Sequence, residues 1–302
     1  MRILITGAGG FVGKAVLALL AEEHEAIGLD TMPGEGGSGW IVGDLSDSKT
    51  LACAKELRPD ALIHLATVPG GAAEVDPALA WRINVDATRR LIEQLARPDA
   101  ALRVVFASSI AALGRLDGAV DDTTPLRPHL LYGAHKLLVE NWLGTLSRRG
   151  GLSAISLRLP GVVARPSAPS GLKSGFMSEL FHAGLARAPF VSPVGPDANM
   201  WLMSVSKTAE NLVRALGAPA AEPFAFTLPA VRTTMNGLVA EIAEQTGFDP
   251  GSVAYQPDPA IVADFGRYPA LRAAAAESLG FQGDADLASL VASALATARP
   301  SI

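Results

Sequence analysis

Cysteine is nearly absent from this sequence, with Cys53 the single example in 302 residues. One thiol can build neither a disulfide framework nor a thiolate metal cluster, so both kinds of stabilisation are excluded within the chain. A reducing, cytoplasmic setting fits this composition best. The first residues, MRILITG, run straight into a strand-like segment without a charged and apolar leader, and we expect no secretory signal.

Charged residues are also scarce, at 18% of the chain against 49% hydrophobic residues. The 25 Lys and Arg are outnumbered by 30 Asp and Glu, for a net charge of −5, and no basic block is long enough to follow a nucleic acid backbone. No apolar run approaches the roughly eighteen residues of a membrane-spanning helix. We therefore expect a soluble protein with a large core and a small-molecule ligand, without nucleic acid or membrane partners.

Two catalytic motifs are missing. No H-E-x-x-H pair occurs, and the histidines are scattered, so we expect no metal site. No G-x-S-x-G elbow occurs either, which argues against a hydrolase. The histidines are His24, His64, His129, His135 and His182.

What the first half does contain is a regular alternation of short apolar runs and longer helix-patterned segments. Continuous apolarity indicates strands covered on both faces, as in a parallel sheet with helices on each side. We predict an α/β fold with a doubly wound parallel sheet of the Rossmann type. The strand-like runs are ILIT, EAIGLD, WIVGDL, ALIHLA, RVVFAS and SAISLRLP, with helices at about 11 to 22, 48 to 57, 78 to 96 and 131 to 149.

Beyond residue 162 the pattern loosens. RPSAPSGLKSGF and PFVSPVGPDANMWLM are typical of irregular loops that form ligand pockets, and PFAFTLP indicates a return to the main sheet. We predict a cofactor-binding domain over 1–162, regained at about 199–229, and a smaller, mostly substrate-binding C-terminal lobe over 163–302. Helices are expected at 177–186, 205–216, 233–246, 269–279 and 284–298.

A glycine triplet, Gly7, Gly10 and Gly13 in TGAGGFVG, follows the first strand and opens a helix at Phe11 and Val12. Glycine permits a tight turn and close approach of a pyrophosphate, and the helix N-terminus then stabilises that anion. The pattern predicts a dinucleotide site.

Asp30 ends the second strand at the offset expected for an acid that binds both adenosine ribose hydroxyls. Its charge repels a 2′-phosphate, and no Arg follows closely, so NAD is favoured over NADP. Asp44 could accept a hydrogen bond from adenine beside Leu45, or could simply cap the next helix.

Tyr132 and Lys136 stand one helical turn apart in LYGAHKLLVENWL, so an ammonium can lie beneath a phenol. Free tyrosine has a pKa near 10 and is a poor base at neutral pH. A positive charge lowers that pKa, and a three-unit shift corresponds to roughly 4 kcal/mol. The pair is therefore a candidate for proton removal from an alcohol.

Together, TGAGGFVG, Asp30, the HLA that ends at Ala66, INVDAT, FASSIAALG and YGAHK resemble the extended short-chain dehydrogenase/reductase family, also called the NAD-dependent epimerase/dehydratase family. The resemblance implies an NAD-dependent enzyme. Its implied catalytic residues are Ser109 (with Ser108 the alternative), Tyr132, Lys136 and Asn84. The expected cofactor-binding residues are Gly7, Gly10, Phe11, Val12, Gly13, Asp30, Asp44, Leu45, Leu65, Ala66, Ser108, Tyr132, Lys136, Pro160 and Val162.

The resemblance also implies a role for each catalytic residue. Ser109 would hold the reacting oxygen near Tyr132, and Lys136 would also bind the nicotinamide ribose. Asn84 would fix its helix and a proton-relay water, unless it is only a packing amide.

LRLPGVVARPSAPSG, PVGPDANMWLMSV and DPAIVADFGRYPALRAAAAESLGF further resemble D-erythronate dehydrogenase-like members of that family, which implies oxidation of a small sugar acid at C2. A carboxylate substrate needs cationic or N–H partners. TVPGGAAE departs from these members, which tend to have a serine there, so Thr67 or backbone N–H groups could replace it. The candidate substrate residues are Thr67, Gly70, Ser109, Tyr132, Arg165, Lys173 and Trp201.

Two other functions stay open. A nucleotide-sugar epimerase with tightly held NAD shares the fold and the Ser-Tyr-Lys set, and Arg267 could contact its pyrophosphate. A dinucleotide-sensing protein without chemistry would be expected to lack the Tyr or the Lys, and both are present. By analogy with relatives, we expect the helices at 78 to 96 and 131 to 149 to form a homodimer.

Overall fold

The computed structural model describes residues 1–97, 99–166, 174–219 and 222–299. The strands in these ranges are β1 (Arg2–Thr6), β2 (Glu25–Asp30), β3 (Gly39–Val42), β4 (Ala61–His64), β5 (Arg103–Ser109), β6 (Ser153–Leu159), β7 (Gly161–Val163), β8 (Phe190–Ser192), β9 (Asn199–Ser204), β10 (Ala225–Thr227), β11 (Val231–Thr234) and β12 (Val253–Tyr255).

The α-helices in the same ranges are α1 (Phe11–Leu20), α2 (Ser48–Glu56), α3 (Gly70–Val75), α4 (Pro77–Trp81), α5 (Thr88–Leu95), α6 (Leu131–Arg148), α7 (Phe176–Ala186), α8 (Val205–Arg214), α9 (Met235–Thr246), α10 (Pro259–Phe265), α11 (Ala274–Ser278) and α12 (Leu287–Ala298). A π-helical turn lies at Arg82–Ala87, and 3₁₀ turns lie at Ile110–Ala112 and Pro250–Ser252. No helix of the described part is long and apolar enough to cross a membrane.

The chain divides into two compact units. The first comprises Met1–Gly114, Leu126–Leu159 and Ala209–Thr227. The second comprises Arg115–Pro125, Pro160–Thr208 and Leu228–Ile302. The assignment of cofactor binding to 1–162 and of substrate binding to 163–302 stays a prediction.

The first unit is built on a seven-stranded parallel sheet in the order β10-β6-β5-β4-β1-β2-β3. Ile3, Leu4 and Ile5 of β1 are fully buried, as expected for a strand covered on both faces. The doubly wound α/β architecture is confirmed, including the return of PFAFTLP as β10 beside β6.

The carboxyl ends of the central strands meet at one edge of this sheet. Thr6 pairs with His64, which in turn pairs with Phe106. From β1, strands β2 and β3 follow on one side and strands β4, β5 and β6 on the other. Ligands of open α/β sheets bind at such a reversal of strand order. The residues that follow β1, β4 and β5 therefore surround one crevice.

The second unit contains a three-stranded sheet, β11-β9-β7, and a two-stranded sheet, β12-β8. Leu180 of α7, Ile242 of α9 and Leu290 of α12 share its apolar core. The prediction of irregular loops over PFVSPVGPDANMWLM is wrong, because β8 and β9 form there. The prolines and glycine punctuate this segment, but Met200 to Met203 are completely buried between two neighbouring strands.

Two predicted helices differ from those observed. The helix predicted over 78–96 is helical throughout 77–95, but its middle turn, Arg82–Ala87, is π-helical. The helix predicted over 269–279 is reduced to α11 because Val120 pairs with the preceding residues, its N–H bonding Ala270 O at 2.8 Å and its carbonyl accepting from Arg272 N at 2.8 Å. Tertiary pairing thus overrides local helix propensity.

Candidate active site

The glycine turn between β1 and α1 has no room for side chains. Gly7 has φ +69°, and a Cβ there would lie 2.8 Å from Ala66 N. A Cβ on Gly13 would lie 2.2 Å from Gly7 O. The helix N-cap, Gly10, provides no side-chain hydrogen bond, so the first N–H groups of α1 can bind an anion. This cradle fits a dinucleotide pyrophosphate.

Asp30, at the end of β2, lies beside that turn. Its Oδ2 accepts a hydrogen bond from Gly9 N at 3.0 Å, and its Oδ1 accepts from Thr31 N at 2.7 Å. Oδ1 also accepts from Thr31 Oγ1 at 3.3 Å, whereas Oδ2 retains a further lone pair for a ribose hydroxyl. The position fits the predicted choice of NAD.

Asp44 and Leu45 follow β3. The carboxylate of Asp44 accepts from Ser46 N at 2.7 Å, and this bond lowers the pKa of Asp44. The N-cap of α2 is Asp47, so the capping alternative for Asp44 is wrong. Leu45 is buried in the core of the first unit.

The two adjacent serines at the end of β5 have different surroundings. Ser108 is 2% exposed, and its hydroxyl donates to the carboxylate of Glu140. Ser109 is half-buried, and its Oγ accepts from Ala111 N at 3.1 Å. Successive side chains of a strand point to opposite faces, so the bond to Glu140 assigns Ser108 to the buried face. Ser109 is left as the catalytic candidate.

Lys136 is almost completely buried on α6, at 3% exposure. Its Nζ donates to Ala107 O at 2.8 Å and lies 4.7 Å from the centre of the Phe106 ring and 5.4 Å from that of Tyr132. Burial lowers the pKa of Lys136 to about 7, and the charge of Glu140 opposes this shift. The predicted ammonium and phenol are therefore neighbours, with the phenol ring half-buried.

Gly133, which was not among the predicted site residues, allows α6 to lie close to the turn that follows β5. A Cβ on Gly133 would lie 2.2 Å from Ala111 O, in the 3₁₀ turn that follows Ser109. Any larger residue would separate Tyr132 from that turn. The signal was present in YGAHK, where Gly133 directly follows the tyrosine.

Asn84 lies in the π-helical turn and is 4% exposed. Its Oδ1 accepts from Val68 N at 2.7 Å and from Thr67 Oγ1 at 3.0 Å, and its Nδ2 donates to Val68 O at 3.0 Å. The amide thus holds the segment after β4. Its part in binding a relay water stays a prediction.

The segment TVPGGAAE is not an open loop, because it contains α3. A Cβ added to Gly70 would lie 3.9 Å from Tyr132 Cδ1, so backbone passes close to the phenol ring. Glu74 accepts a hydrogen bond from Leu131 N at 2.7 Å. Leu130, the N-cap of α6, offers no side-chain bond, and Glu74 replaces that cap from another element. Glu74 was not among the residues predicted from the sequence.

Five of the predicted site residues belong to the second unit, and four of them lie in the described ranges. Arg165 is half-buried, with Nε 3.2 Å from Val162 O, and His182 Nε2 lies 2.6 Å from Arg165 O. Trp201 is completely buried, donates Nε1–H to Pro269 O at 2.8 Å, and packs on the Tyr268 ring. Pro160 and Val162 are buried as well. Lys173 lies outside the described residues.

The sequence relationships agree with this geometry. Residues 3–223 match the model of the NAD dependent epimerase/dehydratase family. The chain belongs to this family. The family name specifies NAD, and the glycine turn and Asp30 fit that cofactor. The protein is an NAD-dependent oxidoreductase.

Individual proteins are similar to this chain over more than four fifths of their length. D-erythronate dehydrogenase of Cupriavidus necator is 31% identical, with 94% of this chain and 95% of that protein aligned. D-erythronate dehydrogenase of Haemophilus influenzae is 27% identical, over 82% and 83% of the two chains. The crystal structure of a nucleoside-diphosphate-sugar epimerase from Agrobacterium tumefaciens is 26% identical, with a TM-score of 0.86 over 96% of this chain and 92% of that chain.

Proposed function

We propose that this protein oxidises a secondary alcohol of a small sugar acid such as D-erythronate, at C2, to the 2-oxo acid. The similarity to D-erythronate dehydrogenase over 94% of the chain carries the substrate class. The proximity of Lys136 to the Tyr132 ring, 5.4 Å from Nζ to the ring centre, supports the chemistry.

In this proposal the glycine turn holds the pyrophosphate of NAD, and Asp30 binds its adenosine ribose. NAD, when bound, supplies the acceptor for a hydride. The remaining cofactor-binding residues are those named from the sequence.

Tyr132 then removes the hydroxyl proton of the substrate. The ammonium of Lys136 favours loss of the phenol proton because it stabilises the anion electrostatically. Ser109 donates a hydrogen bond to the reacting oxygen, and Gly133 keeps helix α6 close enough for the two side chains to act together. Asn84 and Glu74 hold the segments on either side of Tyr132.

We assign binding of the substrate carboxylate to groups that donate hydrogen bonds. Arg165 is the first candidate, because a guanidinium binds a carboxylate in a bidentate manner. Thr67, the backbone near Gly70, and Lys173 are further candidates. Trp201, predicted as a pocket wall, is completely buried and presents no exposed surface to a substrate. Thr67 lies in the segment where relatives tend to have a serine, and its hydroxyl or the backbone N–H groups of this segment would replace that serine.

The test is a screen of four- to six-carbon sugar acids with NAD and with NADP, following NADH absorbance. We expect turnover of an acid with a free C2 hydroxyl and a preference for NAD. Tyr132→Phe should lower kcat by about a hundred-fold or more, the contribution of a positioned general base. Tyr255→Phe, in the second unit, is the matched control. Lack of turnover of every acid would overturn the proposal.

A nucleotide-sugar epimerase is the second candidate, favoured by the structural similarity to the Agrobacterium tumefaciens enzyme. The two activities differ in the fate of the cofactor. A dehydrogenase accumulates NADH in step with its product, whereas an epimerase recycles its bound cofactor. Incubation with nucleotide sugars and with sugar acids in parallel separates them.

We also propose a homodimer in a reducing cytoplasm. Val75, Trp81, Leu131 and Leu138, on α3, α4 and α6, are large apolar residues with 38–86% exposure. Such a cluster is typical of an interface. The exposed free thiol of Cys53 suits a reducing compartment. Light scattering should give twice the mass of the chain, and Leu138→Glu should give monomers.

A further inference from the structure

Three buried side chains form a hydrogen-bonded chain at the carboxyl ends of β1 and β4. They are Thr6, His64 and Thr88, with exposures of 0%, 1% and 0%. His64 Nδ1 lies 2.7 Å from Thr6 Oγ1, and His64 Nε2 lies 2.8 Å from Thr88 Oγ1. None of the three belongs to the proposed proton-removing set.

The two threonine hydroxyl groups determine which atom donates and which accepts in each of these hydrogen bonds. Thr6 Oγ1 accepts from the backbone N–H groups of Leu65 and Ala66, both at 3.3 Å, so its own proton is directed to His64 Nδ1. His64 Nε2 must then carry the ring proton and donate it to Thr88. Thr88 Oγ1 in turn donates to the carbonyl of Ile83 at 3.3 Å. Every donor in the chain has an acceptor.

These hydrogen bonds lead at each end to a segment of the proposed active site. Leu65 and Ala66 follow β4 and pack against the glycine turn, where Ala66 N limits the space at Gly7. Ile83 lies in the π-helical turn, next to Asn84, which holds Val68. π-Helical turns within α-helices are frequent at functional sites.

We propose that His64, as the Nε2–H tautomer between Thr6 and Thr88, is a positioning residue that fixes the π-helical turn and thereby Asn84 and the segment at Val68. The assignment of Asn84 to the active site rests on the proposed function, whereas the positioning itself does not.

The surroundings of His64 keep the ring neutral, as this arrangement requires. Its ring stacks on Phe106, with centroids 5.9 Å apart and planes at 18°, and Lys136 Nζ also contacts Phe106. Burial, assisted by the charge of Lys136, lowers the pKa of His64 to about 3. A charged imidazolium would have two N–H groups and would lose the bond from Thr6.

Nitrogen NMR of histidine-labelled protein tests the tautomer directly. We expect a His64 signal with Nε2 protonated and Nδ1 unprotonated, unchanged between pH 5 and pH 9, and identified by its loss in His64→Gln. An Nδ1–H tautomer, or titration of His64 in this range, would overturn the proposal.

Hydrogen exchange tests the positioning. Thr88→Val removes the hydroxyl and keeps the shape, and it should raise exchange of the Val68 amide about three- to ten-fold, the effect of one lost neutral hydrogen bond. Thr88→Ser should restore slow exchange. Thr208→Val is the matched control, since Thr208 is a completely buried helical threonine whose hydroxyl donates to Ser204 O at 2.8 Å in the second unit.

The kinetic readout separates the two proposals. If a sugar acid is turned over, Thr88→Val should lower kcat, and the Kd for NAD should change by less than about twofold. If no acid is turned over, the proposed function fails, and Val68 exchange and the His64 tautomer still decide the positioning role. Equal Val68 exchange in Thr88→Val and Thr208→Val would refute that role even in an active dehydrogenase.

Discussion

Glu140 of α6 and Arg158 of β6 form a buried ion pair behind the candidate active site. Arg158 Nη2 lies 2.7 Å from Glu140 Oε2, and Arg158 Nε lies 3.1 Å from both carboxylate oxygens, with the side chains 2% and 13% exposed for Glu140 and Arg158. The same carboxylate accepts from Ser108 and lies one helical turn after Lys136. Glu140 therefore joins the helix of Tyr132 to two strands, to β6 through Arg158 and to β5, the strand of Ser109, through Ser108.

Breaking this pair should destabilise the protein. Glu140→Gln leaves a buried guanidinium without its counter-charge, and we expect a loss of about 3–5 kcal/mol in the free energy of unfolding, measured with urea. Glu140→Gln combined with Arg158→Met should recover much of that loss, because the buried guanidinium that lacks a counter-charge is then removed. The exposed pair Arg148–Glu222 is the control, and its disruption should cost at most about 1 kcal/mol. Equal losses for the two pairs would contradict the prediction.

The buried Lys136 should make stability depend on pH. Because its pKa falls from 10.5 to about 7 in the folded apoprotein, the unfolded chain binds more protons between these values. The contribution of this residue to the unfolding free energy therefore rises with pH, by at most about 1.4 kcal/mol per unit. Wild type should gain stability relative to Lys136→Met from pH 7 to pH 9 in urea titrations. A constant difference would show that the pKa of this lysine is not lowered.

Gly133→Ala should impair catalysis more than cofactor binding. The added methyl would lie 2.2 Å from Ala111 O, so α6 must move away from the turn after Ser109. We expect kcat to fall about ten-fold or more, since small misplacements of catalytic groups are costly. The Kd for NAD, from fluorescence titration, should change little. Gly144→Ala on the same helix would place its methyl against side-chain atoms and no backbone, with Phe224 at 3.3 Å and Arg148 at 3.8 Å, and should keep its kcat.

Asp30→Ala should reduce the preference for NAD over NADP. The carboxylate that would bind the ribose and repel a 2′-phosphate is lost, together with the hydrogen bond to Gly9 N. We expect KM for NAD to rise by about ten-fold or more, as for loss of a hydrogen bond to a charged group, and KM for NADP to rise less or fall. Asp117→Ala, at an exposed position of the second unit, should leave both values unchanged. An unchanged NAD to NADP ratio would remove Asp30 from the cofactor site.

The sequence was most informative where the signal is local. Apolar runs of four to eight residues predicted the strands of the parallel sheet, and the glycines of TGAGGFVG marked the turn after β1. In the second unit β9 was missed, because its strand character comes from neighbours far along the chain. Glu74 and Glu140 were missed for the same reason, since their partners Leu131 and Arg158 lie 57 and 18 residues away.

The sequence by itself therefore determined the doubly wound fold, the glycine turn, and the presence of Tyr132 and Lys136 on one helical face. Only the tertiary structure distinguished the surroundings of the two serines, because Ser108 donates to Glu140 on another element. The tertiary structure alone also revealed the hydrogen bonds of His64 to Thr6 and Thr88, and the capping of α6 by Glu74 at Leu131 N. The physical reason is that strand periodicity and helical spacing act over a few residues, whereas burial and buried hydrogen bonds depend on segments that meet only in the folded chain.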